Sequence, residues 1–551
     1  MHPLGPMHPC LNVDEIVRLI AGKLIESKTN ATAVALACCR KSFEDPVLDV
    51  LWGTQDKLLP LLKSLPGHVW NELGGCTVSV PTTHFFFNTQ TNNTRFLFPR
   101  LFVQKSFKRS PTTLEWARFQ KYAQRMRKLN ELGTLDPLCS EVFPVLQLYA
   151  IREPILPNLK TLNLRSVSGK SVPFIPLFLS PRTIAISLGF LLFVSPVAVV
   201  APMVAALPIL CPGLQKINFE SIPRDPMVAA AVSRMLIAND PNTFRSVRVD
   251  SPLTEEVRGV ISKLPNLREL SVIIEEGTSL PSVILPNLTE LVVKYYRDGD
   301  LLRMFHGATF GKLEDVTFIS KSEQNSNFLE AFERVALAAS VQNTLTRFSL
   351  YTSNLWKPNY SSLLPFTHLT HLDIGFPCDA GCSSRVDDEI IINLSRAIPK
   401  LGTLRLGDSP CSEIPIGVTV KGLMALANHC PDLSELQIHF QVASLTTPLA
   451  NHGMPSNVEF IALRRDCALS ELNVGEIPVL EESVSVVAVT LARIFPHLQC
   501  IGYVDENWAK VDDAIRTSRR IFDYSGKERL SSLPRNDFSN TSPGAALEND
   551  N

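Results

Sequence analysis

The clearest pattern in the chain is a repeated spacing of apolar residues. An apolar position is followed by two variable positions, a second apolar position, one variable position and a third apolar position. Each copy predicts a short strand whose alternate side chains are buried. With a degenerate copy at Pro181, Ile184 and Ile186, there are about thirteen copies, with a mean spacing of about 28 residues. The other copies begin at Leu159, Leu214, Phe244, Leu267, Leu288, Leu313, Leu345, Leu369, Leu401, Leu433, Leu469 and Leu498.

The segments between the copies predict connections and a covering layer. Residues 327–339 and 388–397 are plausible covering segments, and Pro265 and Pro286 each stand two residues before a first apolar position, where they would end a helix. Repeated units of this kind bury a common core by stacking on their neighbours. No copy has Asn or Cys three residues beyond its third apolar position, so no ladder of such side chains is expected there. We therefore predict an α/β fold with a repeat array over residues 151–524.

Residues 11–52 predict three short helices. In the first, Val13, Ile16 and Ile20 fall on one face, and Asn12 with Glu15 resembles a capping box. A helix of small apolar residues follows at 31–39, and Asp45-Pro46 predicts the start of the third helix. About forty residues cannot bury every apolar side chain of three helices. A partner, or the next segment of the chain, should cover part of this surface.

The same residues resemble an F-box. The similarity lies in Leu11-x-x-Asp14-Glu15-Ile16, in the string ACCRKSF at 37–43 and in the string DPVLDVLW at 45–52. With the array, the chain resembles F-box proteins with leucine-rich repeats, especially the long degenerate arrays of fungi. The resemblance implies a three-helix F-box-like module followed by an irregular leucine-rich-repeat solenoid, or horseshoe. It also implies docking on the Skp adaptor of a cullin-based ubiquitin ligase, through Leu11, Ile16, Ile20, Leu24, Cys39, Phe43, Leu48 and Trp52. The alternative is that the helices only cap the array.

In proteins with such repeats, the variable positions between the second and third apolar residues face the concave surface, which the family uses to recruit a target. A mixed polar row of this kind could bind protein, or it could be an ordinary hydrated sheet surface. The central positions are Ser271, Val292, Thr317, Ser349, Asp373, Arg405, Gln437 and Asn473. The candidate target-binding residues are Tyr351, His371, Asp373, Arg405, Gln437 and His439.

Residues 53–150 predict a mixed connecting region. Aromatic runs at 84–87 and 95–98 predict strands, and Thr112 followed by Glu115 predicts the start of an amphipathic helix. Nine basic residues between 100 and 128 accompany one acidic residue, Glu115. This basic segment fits a nucleic-acid surface, a docking surface for an acidic protein partner, or a hydrated face. Because Trp116 and Phe119 share the core face of the helix, no nucleic-acid partner is expected.

The composition of the chain limits the cellular compartments and the kinds of partner that are expected. A net charge of −1 removes the case for bulk attraction to nucleic acid or anionic lipid. Twelve Cys in 551 residues are too few for a disulfide scaffold, and no signal peptide is evident. We expect a reducing compartment, cytoplasmic or nuclear. The uncharged segment 183–215 is long enough for a membrane helix, but Pro196, Pro202 and Pro208 interrupt it, so we predict a buried repeat helix and no membrane partner.

Catalytic and metal-binding motifs are weak in this sequence. It has no phosphate-binding loop, GxSxG, HExxH or paired CxxC motif, so we expect no enzyme, no cofactor and no metal. Cys378, Cys382, His368 and His371 lie close enough to consider zinc, but their spacing supplies no convincing ligand set. Cys211 and Cys430 occupy slots that are Leu or Ile in most other copies, which predicts buried thiols.

The predicted organisation is an extension at 1–10, the helical module at 11–52, the connecting region at 53–150, the array at 151–524 and a disordered polar tail at 525–551. The predicted function is a non-catalytic substrate-recognition adaptor that binds the Skp adaptor of the cullin ligase core and an unknown target protein. A stand-alone repeat scaffold or inhibitor-like binding module is the alternative.

Overall fold

The structure is a computed structural model that divides into two compact units, Met1–Leu345 and Thr346–Asn551. In the first unit it describes residues 13–72 without 28, 105–191 without 136–137, 139–141 and 151–152, then 196–252, 259–274 without 262, 284–296, 309–320, 329, 332–333 and 341–345. In the second unit it describes 346–352, 359–375, 386–407, 417–446, 467–503 without 476, and 505–531. The aromatic runs at 84–87 and 95–98 lie outside the described residues.

Three helices begin the first unit: α1 (Asp14–Glu26), α2 (Asn30–Cys39) and α3 (Lys41–Gly53). The three predicted helices are therefore present. Their common core consists of Val17, Ala21, Ala33, Phe43 and Val47. The predicted start of the third helix was wrong, because α3 begins at Lys41 and Pro46 lies inside it, buried next to Val47. Pro46 supplies no backbone N–H to the helix, and burial of this face against the core offsets that loss.

The first unit continues as an α/β structure. Its further helices are α4 (Leu59–Leu62), α5 (Thr113–Ala123), α6 (Val142–Tyr149), α7 (Val197–Leu210) and α8 (Pro226–Ala238). Its strands are β1 (Thr54–Gln55), β2 (Trp70–Glu72), β3 (Lys105–Phe107), β4 (Lys128–Thr134), β5 (Thr161–Val167), β6 (Ala185–Phe190), β7 (Lys216–Glu220), β8 (Ser246–Pro252), β9 (Glu269–Ile274), β10 (Ile284–Leu285), β11 (Glu290–Tyr295), β12 (Thr309–Phe310) and β13 (Asp315–Ser320).

A parallel sheet organises this unit, in the order β1-β4-β5-β6-β7-β8-β9-β11-β13. The repeated apolar pattern coincides with these strands: in β5, for example, Leu162 and Leu164 are buried while Thr161 and Asn163 are half-buried. The degenerate copy at Pro181 corresponds to β6. Strands β10 and β12 form a separate parallel pair, and β2 and β3 an antiparallel pair.

The sheet begins earlier than the predicted boundary at residue 151, because β4 pairs with β5. The pattern leading into β4 is Met126, Leu129 and Glu131, so an acidic residue stands at the third apolar position. Glu131 is 8% exposed, and its carboxylate accepts a hydrogen bond from the backbone N–H of Leu58 at 2.8 Å. A buried carboxylate with a backbone donor replaces the apolar side chain that the pattern requires.

The uncharged segment that raised the membrane alternative forms β6 and α7. Helix α7 packs against α8 and buries Val200, Val204 and Leu207. Among the described residues, no helix is both long enough and apolar enough to cross a membrane.

The second unit is also α/β. Its strands are β14 (Arg347–Thr352), β15 (His371–Gly375), β16 (Thr403–Leu406), β17 (Glu435–Ile438), β18 (Glu471–Gly475) and β19 (Cys500–Tyr503), which are parallel and follow one another in chain order. Its helices are α9 (Asp388–Ala397), α10 (Val420–His429), α11 (Val442–Thr446), α12 (Val484–Ile494) and α13 (Glu506–Ser531). Helix α13 continues past residue 525, so the predicted start of the disordered tail was wrong.

Side-chain hydrogen bonds connect successive strands just before each strand starts. The amides of Asn158, Asn266 and Asn287 each donate at 2.8 Å to a backbone carbonyl in the preceding copy. In the second unit, hydroxyl groups act similarly: Ser434 donates to the Gly402 carbonyl at 3.0 Å and Ser470 to the Ser434 carbonyl at 3.1 Å. In three copies, the structure thus places an Asn side chain directly before the first apolar position.

Candidate functional site

The residues predicted to bind the Skp adaptor do not form one exposed surface. Leu11 lies outside the described residues. Phe43 is 5% exposed inside the core of α1, α2 and α3, and Leu24 packs against that core, so both hold the helices together. Ile20 and Cys39 are exposed. Three residues are half-buried, namely Ile16, Leu48 and Trp52.

Other apolar side chains in or next to these helices are also exposed. Val13 is 43% exposed, Leu19 68% and Val34 50%. Val13 directly precedes α1, and Leu19 and Ile20 lie within it. The spacing in the sequence marked Val13 and Ile20 as apolar helix positions, but only packing distinguishes which apolar residues face the core.

The basic segment at 100–128 has acidic partners within the chain. Lys121 Nζ lies 2.9 Å from a carboxylate oxygen of Glu44, and Arg125 binds the carboxylates of both Asp45 and Asp49. All three acidic residues belong to α3. For Lys121 and Arg125, the acidic partner is therefore α3 of the same chain.

The aromatic residues of α5 are packed in the interior, as predicted. Trp116 stacks on Phe119 with ring centroids 4.6 Å apart, and both rings are buried. Tyr122 contacts Trp52 of α3 with ring centroids 4.8 Å apart. Ion pairs and aromatic contacts therefore join α3 to α5.

The central strand positions lie in register across each sheet. In the first unit, Arg248 is opposite Ser271, Ser271 is opposite Val292, and Val292 is opposite Thr317. The same alignment in the second unit runs through Ser349, Asp373, Arg405, Gln437 and Asn473. Ser271 is only 6% exposed, so its predicted exposure was wrong, and the other predicted central residues are half-buried.

In the second unit, four side chains form a connected polar cluster. The Tyr351 hydroxyl donates to Asp373 Oδ2 at 2.8 Å. Arg405 lies between Asp373, at 3.9 Å, and Glu435, to which Nε donates at 3.0 Å. Burial and the neighbouring Asp373 charge raise the pKa of Tyr351 well above its ordinary value, so the phenol stays protonated at neutral pH. The cluster offers hydrogen-bonding groups with compensated charge.

Gln437 and His439 extend this face. Gln437 Nε2 donates to the carbonyl of Gly407 at 3.0 Å, and Gly407 adopts a positive φ of 85°, which a glycine accommodates without strain. Burial lowers the pKa of His439 to about 4, so its ring is neutral at pH 7. His371 lies on β15, opposite Thr403 of β16, and its Nδ1 is 2.8 Å from the Thr370 hydroxyl. Five of the six candidate target-binding residues thus lie at alternating positions of β14 to β17, and His439 directly follows β17.

The first unit carries a comparable charged face. Arg248 forms ion pairs with Glu269 at 3.2 Å and with Glu290 at 2.7 Å. Lys294 binds Asp250 at 2.6 Å. Burial, with the nearby charges of Asp315 and Glu269 adding to it, raises the pKa of Glu290 despite its pairing with Arg248. Sequence reasoning missed this cluster because its members come from three strands.

No group of three or more potential metal ligands occurs among His, Cys, Asp and Glu in the described part of the chain. Cys378 and Cys382 lie outside it. The prediction of buried thiols is confirmed for Cys211 and Cys430, both 0% exposed. Burial raises the pKa of Cys211 to about 11 and of Cys430 to about 12, so neither thiol is a nucleophile at neutral pH.

Comparison with known proteins identifies no family. No family model and no curated protein matches the chain. A solved structure of a protein from Bacteroides fragilis is 13% identical, with a TM-score of 0.24, and the match covers 42% of this chain and 64% of that protein. The match thus spans less than two thirds of that protein, and its similarity assigns neither a fold nor a function.

Proposed function

We propose that the chain is a non-catalytic substrate-recognition adaptor of a Skp/cullin-type ubiquitin ligase. In this proposal α1, α2 and α3 are an F-box-like module that docks on the Skp adaptor. The parallel strands that follow are the inner layer of an irregular leucine-rich-repeat solenoid that binds a target protein. The compartment would be the reducing cytoplasm or nucleus.

The exposed apolar side chains of the amino-terminal helices carry this proposal. Val13, Leu19, Ile20 and Val34 remain accessible although the module has a core of its own. Several exposed apolar residues on so small a module are typical of a surface that a protein partner covers. The three-helix order and the strings quoted above favour the Skp adaptor as that partner.

The polar face of β14 to β17 supports the target-binding part. Tyr351, Asp373, Arg405 and Gln437 present aromatic, charged and amide groups on neighbouring strands in register. Tyr and Arg are the residue types enriched where interfaces gain most of their binding energy. The protonated phenol and the paired guanidinium favour recognition over covalent chemistry.

Retention of the full-length protein by purified, immobilised Skp adaptor tests the docking. We expect a Leu19→Asp/Ile20→Asp variant to lose at least about tenfold in affinity, because two apolar contacts become desolvated charges. The matched control is Leu114→Asp/Leu148→Asp, which changes two exposed leucines outside the module and should bind normally. Phe43 is unsuitable for this test because it is buried. A wild-type protein that retains no Skp adaptor contradicts the proposal.

The contact between α3 and α5 supports the alternative, a stand-alone repeat scaffold. Tyr122 of α5 contacts Trp52, and Arg125, just beyond α5, binds Asp49 of α3, as a capping module would be held. A scaffold without a ubiquitin role would bind no Skp adaptor, and the aspartate variants would change nothing in the assay above.

A further inference from the structure

A row of basic side chains lines the edge of the first unit's sheet at which the strands begin. Backbone hydrogen bonds fix the alignment of this edge, because the backbone N–H of a residue at the start of one strand donates to a carbonyl at the start of the preceding strand. The donor and acceptor pairs are Lys160 and Arg127, Ile184 and Lys160, Arg245 and Gln215, and Arg268 and Arg245. These bonds are 2.7 to 2.9 Å long. Of the six aligned positions from β4 to β9, four carry a cation, and Ile184 and Gln215 occupy the two between Lys160 and Arg245.

Arg182 adds a fifth cation to this row. It precedes β6, and its guanidinium donates a hydrogen bond to the side-chain oxygen of Asn158. The backbone carbonyl of Asn158 accepts a hydrogen bond from Arg127 Nη1 at 3.4 Å. All five side chains are exposed. We call this surface the basic edge. Its members are Arg127, Lys160, Arg182, Arg245 and Arg268.

Within the described residues, none of these five forms an ion pair with Asp or Glu. The neighbouring Lys216 differs, since it pairs with Glu269 at 3.4 Å. Like charges on adjacent strands repel one another, and among the described residues no ion pair with Asp or Glu offsets the repulsion between these five. The protein as a whole has a net charge of −1, so the basic edge is a local feature rather than a consequence of composition.

The row of cations ends at β9. The positions aligned with Arg268 are Thr289 and then Glu314, and the first strand residues are acidic from β9 onward, namely Glu269, Glu290 and Asp315. The basic edge therefore has a defined end. Adjacent parallel strands lie about 4.8 Å apart, so the five steps from Arg127 to Arg268 span roughly 24 Å. An extended peptide covers that distance with about seven residues.

We propose that the basic edge binds an acidic segment of a protein partner, rich in Asp and Glu and about seven residues long. Four of the five cations are arginines, whose planar guanidinium groups match carboxylates in a two-point geometry. Phe244, the aromatic residue closest in sequence to Arg245, is 0% exposed, and no exposed aromatic ring lies among the described residues 126–128, 158–160, 182–184, 243–245 and 266–268. Single-stranded nucleic acid therefore lacks the stacking surface it usually uses. This binding does not depend on the proposed docking to the Skp adaptor.

Fluorescence anisotropy with a labelled octaglutamate peptide and the full chain tests the proposal. The test variant is Arg245→Gln/Arg268→Gln, and the matched control is Arg118→Gln/Arg234→Gln, which removes two exposed arginines elsewhere in the same unit. We expect the test variant to weaken peptide binding about fivefold, since each exposed ion pair contributes modestly. The control should stay within about twofold, and added salt should weaken wild-type binding.

Three results would overturn the proposal. The first is no saturable binding of octaglutamate by the wild type. The second is an equal loss in both double variants, which would mean diffuse attraction rather than a site. The third is stronger binding of a single-stranded RNA octamer than of octaglutamate with the same dependence on Arg245 and Arg268, which would assign the surface to nucleic acid. All variants should keep the wild-type thermal unfolding midpoint, because the substituted residues are exposed.

Discussion

At the scale of single residues, burial decides the protonation behaviour of His439. Its pKa of about 4 lies below the ordinary value near 6.5, because desolvation disfavours the charged imidazolium. Between these two values the unfolded chain binds a proton that the folded chain does not. The stabilising effect of the neutral ring is complete above about pH 6.5 and is lost progressively as the pH falls toward 4.

We therefore expect the free energy of unfolding to fall by about 1–2 kcal/mol between pH 6.5 and 5 because of this residue. Urea unfolding followed across that range measures it, and His439→Gln should flatten this part of the profile. His497→Gln, which replaces an exposed histidine of the same unit, is the control. An unchanged profile in the His439 variant would disprove the assignment.

Asp388 is a second residue whose role only its contacts reveal. Its carboxylate lies at the start of α9 but accepts from the start of α10: from the Thr419 backbone N–H at 2.7 Å, the Gly422 N–H at 3.0 Å and the Thr419 hydroxyl at 2.6 Å. Backbone N–H groups at a helix start lack intrahelical partners, so this carboxylate caps the neighbouring helix. A Cβ at Gly422 would meet Asp388 Oδ1 at 2.8 Å, which explains the glycine there.

Asp388→Ala should lower the free energy of unfolding by about 1–3 kcal/mol, because it leaves these donors without their acceptor. Chemical denaturation of the full chain measures the change. Glu389→Ala removes an exposed carboxylate one residue later in α9 and should change stability by less than about 0.5 kcal/mol. Equal effects of the two substitutions would mean that the cap is energetically unimportant.

At the scale of elements, the contact between α3 and α5 turns two separately predicted segments into one structure. Arg125 is 13% exposed and binds Asp45 and Asp49 together. The sequence predicted the amphipathic character of α5 and its capping box at Thr112 and Glu115, and the structure confirms both. It did not predict the pairing, because the charges lie about eighty residues apart in the chain.

Arg125→Met should destabilise the protein by about 1–3 kcal/mol, since two carboxylates lose a largely buried partner. Thermal and urea unfolding of the full chain measure this change. The control Arg118→Met replaces an exposed arginine of α5, the helix that ends just before Arg125. If both variants unfold alike, the ion pairs with α3 contribute nothing to stability.

At the scale of the whole molecule, each unit is organised by a parallel sheet. The strands formed by successive copies of the apolar pattern lie next to one another in the order of the chain. The sequence predicted this succession because alternate burial requires apolar residues at fixed intervals in each strand. It missed β4, where the buried Glu131 occupies an apolar position. It also placed the end of the ordered chain at residue 524, because the polar composition that follows is typical of a disordered tail, whereas α13 continues to Ser531.

The sequence by itself determined that three helices begin the chain and which positions of the strands alternate between buried and partly exposed. These depend on local periodicity, which a linear pattern records directly. Only the tertiary structure decided that Phe43 is a core residue, that Ser271 is buried, and that the cations Arg127, Lys160, Arg182, Arg245 and Arg268 share one edge. Such outcomes depend on which residues of distant segments become neighbours, and packing and hydrogen-bond register set those neighbours.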